Sequence, residues 1–319
     1  MKFVKNKKNM KNFLNIKDIS KLDLRKIISD AKKRKLKRRK LNLLDPDQDK
    51  PLKGKFLIQM FEKSSLRTRL SFYLAIRQLG GGALNLRNDE IHLGIGGESI
   101  HDTAKILSNY GDIFMFRTDS DKKMQEFRKY MEIPIINGLS PTSHPTQILS
   151  DIFTIEEIKK KPISKLNISW IGDCNNVLNS LIEASIKFSF SLKIGTPKQY
   201  MPNRSILSLI KKTKNKISIY NDPKKAIKSA DVVFADKFIG LNDKVNKKKK
   251  LNDFKKYQVN KNLMKFTNKD AIFLHCLPAS RGHEVTGDII DGKQSVVWQQ
   301  AVNRCHLQKS ILLYCFEKL

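Results

Sequence analysis

Cysteine, tryptophan and long apolar runs are scarce in this sequence of 319 residues. The 4 cysteines, Cys174, Cys276, Cys305 and Cys315, form no CxxC pair, which argues against a structural zinc site or a disulfide framework. No apolar run approaches the ~18 residues of a membrane-spanning helix, and the lysine-rich residues 1–15 lack the apolar block of a secretory signal. We therefore expect a cytoplasmic protein with reduced thiols that does not enter a membrane.

Several cofactor motifs are also missing. The sequence contains neither GxGxxG nor GxxxxGK[ST], so no nucleotide cofactor is indicated. The 6 histidines are scattered and no HExxH occurs, so no metal site is predicted. If the chain is an enzyme, we expect it to work without a metal or an organic cofactor.

Acidic residues are outnumbered two to one, with 62 Lys and Arg against 31 Asp and Glu, for a formal net charge of +31. Such a charge can bind nucleic acid by releasing counterions from phosphates. An AT-rich genome would also give it without selection for binding. Because the lysines are scattered and no nucleic-acid-reading module occurs, we expect no nucleic-acid partner. The densest basic stretches, 32–40 and 244–256, are predicted to be solvated helix or loop faces.

Short apolar runs alternate with helical patterns along the chain, which predicts parallel sheets covered by helices. Two such series indicate an α/β fold with two doubly wound parallel-sheet domains, 1–150 and 151–319. The predicted strands are 55–61, 83–86, 113–117, 133–136, 166–171, 191–195, 217–219, 231–234 and 271–274. The main predicted helices are 16–40, 100–110, 123–131, 146–160, 176–189 and 295–315, together with a helical pattern that follows the polar run after the first strand and ends at Gln78.

Polar residues follow the first strand at the point where a helix begins. The run Ser64-Ser65-Leu66-Arg67-Thr68-Arg69 places hydroxyls and two guanidinium groups at a helix N-terminus. Free backbone N–H groups and the helix dipole attract anions there, and Arg suits bidentate phosphate contacts. A capping serine followed by surface arginines is the alternative. The cluster favours a phosphate site.

Other polar residues occupy similar positions at strand ends, where open parallel sheets bind ligands. Arg117 ends a strand and His144 precedes a helix, and two such donors aimed at one carbonyl oxygen would polarise it. Gln147 can add an amide contact. In the second half, the corresponding residues are Asn175, Asn176, Asp236, Cys276 and Arg304. A carboxylate and amides suit an ammonium group, although each residue alone also fits loop capping or an inert thiol.

Longer motifs resemble the transcarbamoylases, in particular the ornithine carbamoyltransferases. Phe61 to Arg69 is similar to their carbamoyl-phosphate signature, and His144-Pro145-Thr146-Gln147 to their second motif. His275-Cys276-Leu277-Pro278 has the form found in the ornithine enzymes. The similarity extends in order over nearly the whole chain from about residue 10, including 170–176, 279–286, 289–298 and 303–304.

The resemblance implies transfer of a carbamoyl group from carbamoyl phosphate to the δ-amine of ornithine, giving citrulline and phosphate, by a homotrimer with active sites at its subunit interfaces. It makes 1–150 the carbamoyl-phosphate domain and 151–319 the amino-acid domain, with a last helix of about 296–319 returning to the first. The implied carbamoyl-phosphate residues are Ser65, Leu66, Arg67, Thr68, His92, Arg117, His144, Pro145, Thr146 and Gln147. Those implied for ornithine are Asn176, Asp236, Gly240, Leu241, Cys276, Leu277 and Arg304, and the implied catalytic residues are Arg117, His144, Asp236 and Cys276.

Several positions depart from the family pattern, and two of these departures bear on the substrates. Leu66 stands where the family usually has Thr, and Gly240-Leu241-Asn242 stands where Ser-Met-Gly is expected after Asp236. Two alternatives therefore stay open beside ornithine carbamoyltransferase. The first is a transcarbamoylase for N-acetylornithine, N-succinylornithine or putrescine. The second is a non-catalytic, basic binding descendant.

Overall fold

A computed structural model describes residues 10–87, 97–213, 216–240 and 246–319. The chain divides into two units. Unit 1 comprises Met1–Ser150 and Val302–Leu319, and unit 2 comprises Asp151–Ala301. Twelve α-helices lie in the described residues: α1 Lys21–Lys37, α2 Leu66–Gln78, α3 Ile100–Tyr110, α4 Asp121–Tyr130, α5 Pro145–Lys159, α6 Asn176–Phe188, α7 Arg204–Lys212, α8 Pro223–Ile227, α9 Lys247–Phe254, α10 Lys261–Met264, α11 Gly287–Ile290 and α12 Val297–Cys315.

Unit 1 contains a parallel sheet with strand order β2-β1-β3-β4. Its strands are β1 Phe56–Phe61, β2 Gly82–Arg87, β3 Ile113–Arg117 and β4 Ile135–Leu139. One face is covered by α3 and α4, where Phe114, Phe116 and Phe127 pack with ring centroids 4.9–5.6 Å apart. The strand order reverses between β1 and β3, and ligands of open α/β sheets bind beyond the carboxyl ends of strands at such a point.

Unit 2 contains a second parallel sheet, with strand order β7-β6-β5-β8-β9. Its strands are β5 Asn167–Ile171, β6 Ser191–Gly195, β7 Ile217–Tyr220, β8 Val232–Ala235 and β9 Ile272–His275. Here the order reverses between β5 and β8. Both sheets are parallel and flanked by helices, which confirms the predicted fold class.

The structure shifts several predicted boundaries. The fourth strand begins at Ile135, because Pro134 has no N–H to give to the ladder and only its carbonyl bonds to Phe114. The helix predicted from residue 16 begins at Lys21, since Ser20 accepts the Asp23 N–H and caps it. Among the described residues, no helix combines the length and apolarity needed to cross a membrane.

One lysine of the basic stretch 244–256 differs from the solvated face predicted there. Lys250 is 4% exposed, and its Nζ lies 2.7 Å from Asp173 and 5.4 Å from the ring centroid of Tyr200. Its partners come from distant parts of the chain, so a count of local charges does not reveal them.

Candidate active site

The turn between β1 and α2 presents the N-terminus of a 13-residue helix. Ser65 precedes the helix in an extended conformation, and its hydroxyl makes no capping bond to it. Leu66, the first residue of the helix, is 69% exposed. The first-turn backbone N–H groups and the helix dipole favour an anion at this position.

Thr68 lies buried one turn into α2 and joins two arginines. Its Oγ1 accepts hydrogen bonds from Arg304 Nη2 at 2.7 Å and from Arg117 Nη1 at 3.3 Å. Arg304 also donates from Nη1 to Gln147 Oε1 at 2.7 Å. Four residues from separate segments therefore converge at the carboxyl end of the unit 1 sheet.

His144 lies immediately before α5 and is 3% exposed. Burial is the main cause that lowers its pKa well below the ordinary value of 6.5, and the positive charges of Arg304, Arg117 and Arg67 lower it further. The imidazole is therefore neutral at physiological pH, and it can donate one hydrogen bond without adding a charge.

We expect His144 to remain neutral when the pH falls through 6.5, the ordinary pKa of histidine. The folded state binds this proton less readily than the unfolded chain, so the contribution of His144 to the free energy of unfolding decreases as the pH falls below 6.5. The protonation of His144 is measured by a histidine NMR titration between about pH 8 and 6, with signals assigned by comparison with His144→Gln. A His144 signal that titrates near pH 6.5 would contradict the arrangement.

Glu62 connects the ends of β1 and β3 beside Arg117. Its backbone N–H donates to the Arg117 carbonyl at 3.0 Å, and its carboxylate accepts from the Thr118 hydroxyl and from Lys123 Nζ at 2.5 Å. These contacts fix the strand end that carries Arg117. Glu62 lies within the phosphate motif, but the sequence predicts no role for it, because its partners lie at the end of β3 and in α4.

In unit 2, Asp236 follows β8 and accepts hydrogen bonds from two neighbouring strand ends. Asn175 Nδ2 donates to its Oδ2 at 2.7 Å, and Cys276 Sγ to its Oδ1 at 3.2 Å. Asn175 Oδ1 also accepts the Val177 and Leu178 N–H groups and so caps α6. The set of residues assigned to ornithine omitted Asn175, although its place just before a predicted helix was a visible signal.

Three potential metal ligands meet at the same strand ends. Asp236, His275 and Cys276 each offer one ligand atom, and these atoms lie within 4.8 Å of one another. The Nδ1 atom of His275 already accepts the Leu277 N–H at 2.9 Å, which engages its lone pair. The geometry therefore suits the holding of a backbone more than the binding of an ion.

The structure places most of the other residues assigned from the resemblance. Pro145 and Thr146 are buried in the first turn of α5, Asn176 begins α6, Leu277 follows β9, and Gly240 is exposed after β8. His92 and Leu241 lie outside the described residues. Arg304 was assigned to ornithine, but its side chain contacts Thr68 and Gln147 in unit 1. The reason is that α12 belongs to unit 1 from Val302 onward.

Two family models match this chain. "Aspartate/ornithine carbamoyltransferase, carbamoyl-P binding domain" matches residues 11–157, and "Aspartate/ornithine carbamoyltransferase, Asp/Orn binding domain" matches residues 164–315. The chain belongs to the aspartate/ornithine carbamoyltransferase family. The two models meet between residues 157 and 164, near the division of the chain at Ser150, and the second model also covers residues 302–315 of unit 1.

Relatives within the family are similar over almost their whole length. The ornithine carbamoyltransferase of Nitrobacter winogradskyi is 43% identical over 305 residues, which is 96% of this chain and 97% of that protein. Among solved structures, the anabolic ornithine carbamoyltransferase of Campylobacter jejuni is 35% identical with a TM-score of 0.87, covering 97% of this chain and 100% of that one. The Pyrococcus furiosus ornithine carbamoyltransferase is 37% identical with a TM-score of 0.88, covering 95% and 96%.

Proposed function

We propose that this carbamoyltransferase transfers the carbamoyl group of carbamoyl phosphate to the δ-amine of ornithine, giving citrulline and phosphate. The observation that carries the proposal is the unit 1 cluster, in which Arg117 and Arg304 both donate to Thr68 Oγ1. The nearby His144 is buried, and burial and the charges of Arg304, Arg117 and Arg67 lower its pKa, so the imidazole is neutral. A dianionic substrate with a carbonyl group needs cations for its phosphate and neutral donors for its oxygen. This cluster supplies both.

The phosphate is proposed to bind at the start of α2. Ser65 offers a hydroxyl, Leu66 its backbone N–H, and Arg67 and Thr68 their side chains. Arg suits this contact because its planar guanidinium can donate two parallel hydrogen bonds to phosphate. His92 is assigned to the same substrate by the resemblance alone.

The carbamoyl end is proposed to contact Arg117, His144 and Gln147, with Pro145 and Thr146 fixing the turn between the last two. Arg117 and the imidazole N–H would donate to the carbonyl oxygen and stabilise the negative charge that develops on it. Arg304 donates to both Thr68 and Gln147, so it fixes the position of a phosphate-binding residue relative to a carbonyl-binding residue. Its proposed role therefore moves from ornithine to carbamoyl phosphate.

Ornithine is proposed to bind in unit 2 through Asn176, Asp236, Gly240, Leu241, Cys276 and Leu277. Asp236 suits the α-ammonium group, since its carboxylate already collects donors from Asn175 and Cys276. An alkyl ammonium has a pKa of about 10.4, so the δ-amine must lose a proton before it attacks. The new C–N bond then forms as the C–O bond to phosphate breaks. Of the two protons lost from nitrogen, one ends on the phosphate and one in solvent.

We propose that the chain works as a homotrimer in the cytoplasm, with active sites at its subunit interfaces. Support comes from an apolar stripe on α2, where Leu66, Leu70 and Tyr73 are 69%, 52% and 37% exposed, and from Leu84, which is 46% exposed on the edge strand β2. Exposed apolar stripes on soluble proteins often mark association surfaces. The free thiols fit a reducing compartment.

The test is citrulline formation by the purified full-length protein with carbamoyl phosphate and ornithine. N-acetylornithine, N-succinylornithine and putrescine are assayed in parallel, and light scattering measures the mass of the same sample against the 36.8 kDa protomer. Turnover with ornithine well above that with the other amines is expected. Turnover with another amine alone would change the acceptor, and no turnover with any amine in a folded trimer would leave a non-catalytic protein.

A further inference from the structure

His275 and Glu284 form a buried pair that the proposed chemistry does not use. Their side chains are 0% and 1% exposed, and His275 Nε2 lies 3.3 Å from Glu284 Oε1. Both residues lie in unit 2, His275 at the end of β9 and Glu284 in the segment before α11. A buried carboxylate and imidazole are costly to desolvate unless each satisfies the other.

The two nitrogens of His275 have different tasks. Nδ1 accepts the Leu277 N–H at 2.9 Å, so it carries no proton. A proton on the ring can therefore reside only on Nε2, which lies 3.3 Å from Glu284 Oε1. The Leu277 N–H sets the tautomer, and the adjacent carboxylate restrains the orientation of the ring by its charge, as second partners of functional histidines commonly do.

Glu284 is itself held in the ionised form. Burial raises its pKa, but the contacts with His275 and the Ser280 backbone N–H outweigh burial and bring the pKa below its ordinary value. Its backbone carbonyl accepts the Val259 N–H at 2.9 Å. The carboxylate therefore has a fixed position from which to orient the ring.

The backbone that His275 supports is in an unusual conformation. Leu277 has a φ of +57°, in the left-handed region that is unfavourable for a non-glycine residue. Its N–H bond to His275 stabilises this conformation. The preceding residue, Cys276, places its Sγ 3.2 Å from Asp236.

We propose that Glu284 is a positioning residue that acts through His275 to hold the Cys276–Leu277 backbone in the conformation that receives the amine substrate. This inference rests on the proposed function, since it assigns ornithine to Cys276 and Leu277. Carbamoyl phosphate is assigned to unit 1 residues. Loss of Glu284 should therefore affect the two substrates unequally.

The test compares Glu284→Ala with the conservative variant Glu284→Gln, whose amide oxygen keeps an acceptor beside His275 Nε2. Glu284→Ala is expected to raise KM for ornithine about tenfold and to leave KM for carbamoyl phosphate within about twofold, and Glu284→Gln to recover most of the loss. Hydrogen exchange followed by mass spectrometry should show about tenfold faster exchange in a peptide containing Leu277 in Glu284→Ala. If that variant does not fold, a smaller rise confined to ornithine in Glu284→Gln still supports the proposal.

Glu183→Ala is the matched control, because Glu183 is also buried in unit 2 but lies within α6. Equal increases of both KM values in Glu284→Ala, or the same pattern in Glu183→Ala, would overturn the proposal. Unchanged KM values and unchanged exchange at Leu277 would do so as well. The exchange measurement needs no turnover, so it separates a failure of this inference from a failure of the proposed function.

Discussion

Replacing Arg67 by alanine is expected to lower kcat/KM for carbamoyl phosphate by about 10³-fold, which corresponds to about 4 kcal/mol of transition-state stabilisation. Arg67 lies in the first turn of α2, and its charge is among those that lower the pKa of His144. The phosphate gains charge as it leaves, and a guanidinium group placed to receive that charge contributes mainly to the transition state. Steady-state citrulline production at varied carbamoyl phosphate measures the effect.

Arg77→Ala is the matched control for this substitution. Arg77 is exposed in the last turn of the same helix, so its loss removes an equal charge far from the helix N-terminus. We expect its kcat/KM to stay within about twofold of the unsubstituted chain, and Arg67→Lys to fall between the two, because lysine keeps the charge and loses the bidentate fork. Near-normal activity of Arg67→Ala would remove the phosphate assignment.

Replacing Asp47 by alanine is expected to lower the free energy of unfolding by about 3–5 kcal/mol. Asp47 is 5% exposed and accepts from Lys309 Nζ at 3.0 and 3.1 Å, from Arg38 at 2.8 Å and from Arg34 at 3.0 Å. The Lys309 side chain is 0% exposed, so losing Asp47 leaves that buried ammonium group without its carboxylate. Urea unfolding of the two variants Asp47→Ala and Asp49→Ala measures the difference.

Asp49→Ala is the control because it removes an aspartate that also binds Arg34, but one whose side chain is 55% exposed. An exposed ion pair contributes about 0–1 kcal/mol. Adding Lys309→Met to Asp47→Ala should recover part of the lost stability, since it removes the buried ammonium charge but leaves Arg38 without its carboxylate. Equal losses for the two aspartate variants would contradict the role given to burial.

The stabilising effect of Asp47 also depends on pH. Burial raises its pKa, but Lys309, Arg38 and Arg34 outweigh burial and hold the pKa below its ordinary value of 3.8. The unfolded chain therefore takes up a proton before the folded protein does. The contribution of Asp47 to the free energy of unfolding is complete above pH 3.8 and is lost as the pH falls through the lowered pKa.

The sequence was informative for candidate site residues that stand next to the end of a predicted strand. Arg67, Arg117 and Asp236 each follow or end a strand, so alternation of strands and helices was enough to bring them to sheet edges. The pairing of Thr68 with Arg304 joins residues 236 positions apart, and no local pattern contains it. For the same reason the sequence did not reveal that Arg304 contacts Thr68 and Gln147, or that Lys250 is buried.

The histidine at the end of β9 shows a second limit. His275 was recognised within a motif, yet its partner Glu284 lies nine positions later in a segment without a strand or helix pattern. Only the fold of that segment, closed by the Val259 and Ser280 contacts, brings the carboxylate to the ring. Local propensity carries no information about such a closure.

Unit 1 is assembled from two pieces of the chain, 1–150 and 302–319, and the second piece brings Arg304 and Lys309. During synthesis on the ribosome, the first piece is complete when about half of the protein has been made. At that time Thr68 and Gln147 lack their shared guanidinium group, and Asp47 lacks its ammonium group. The unit 1 cluster can therefore be completed only after the last helix, α12, has left the ribosome. A nascent or C-terminally shortened chain should bind carbamoyl phosphate poorly even when its sheets are formed.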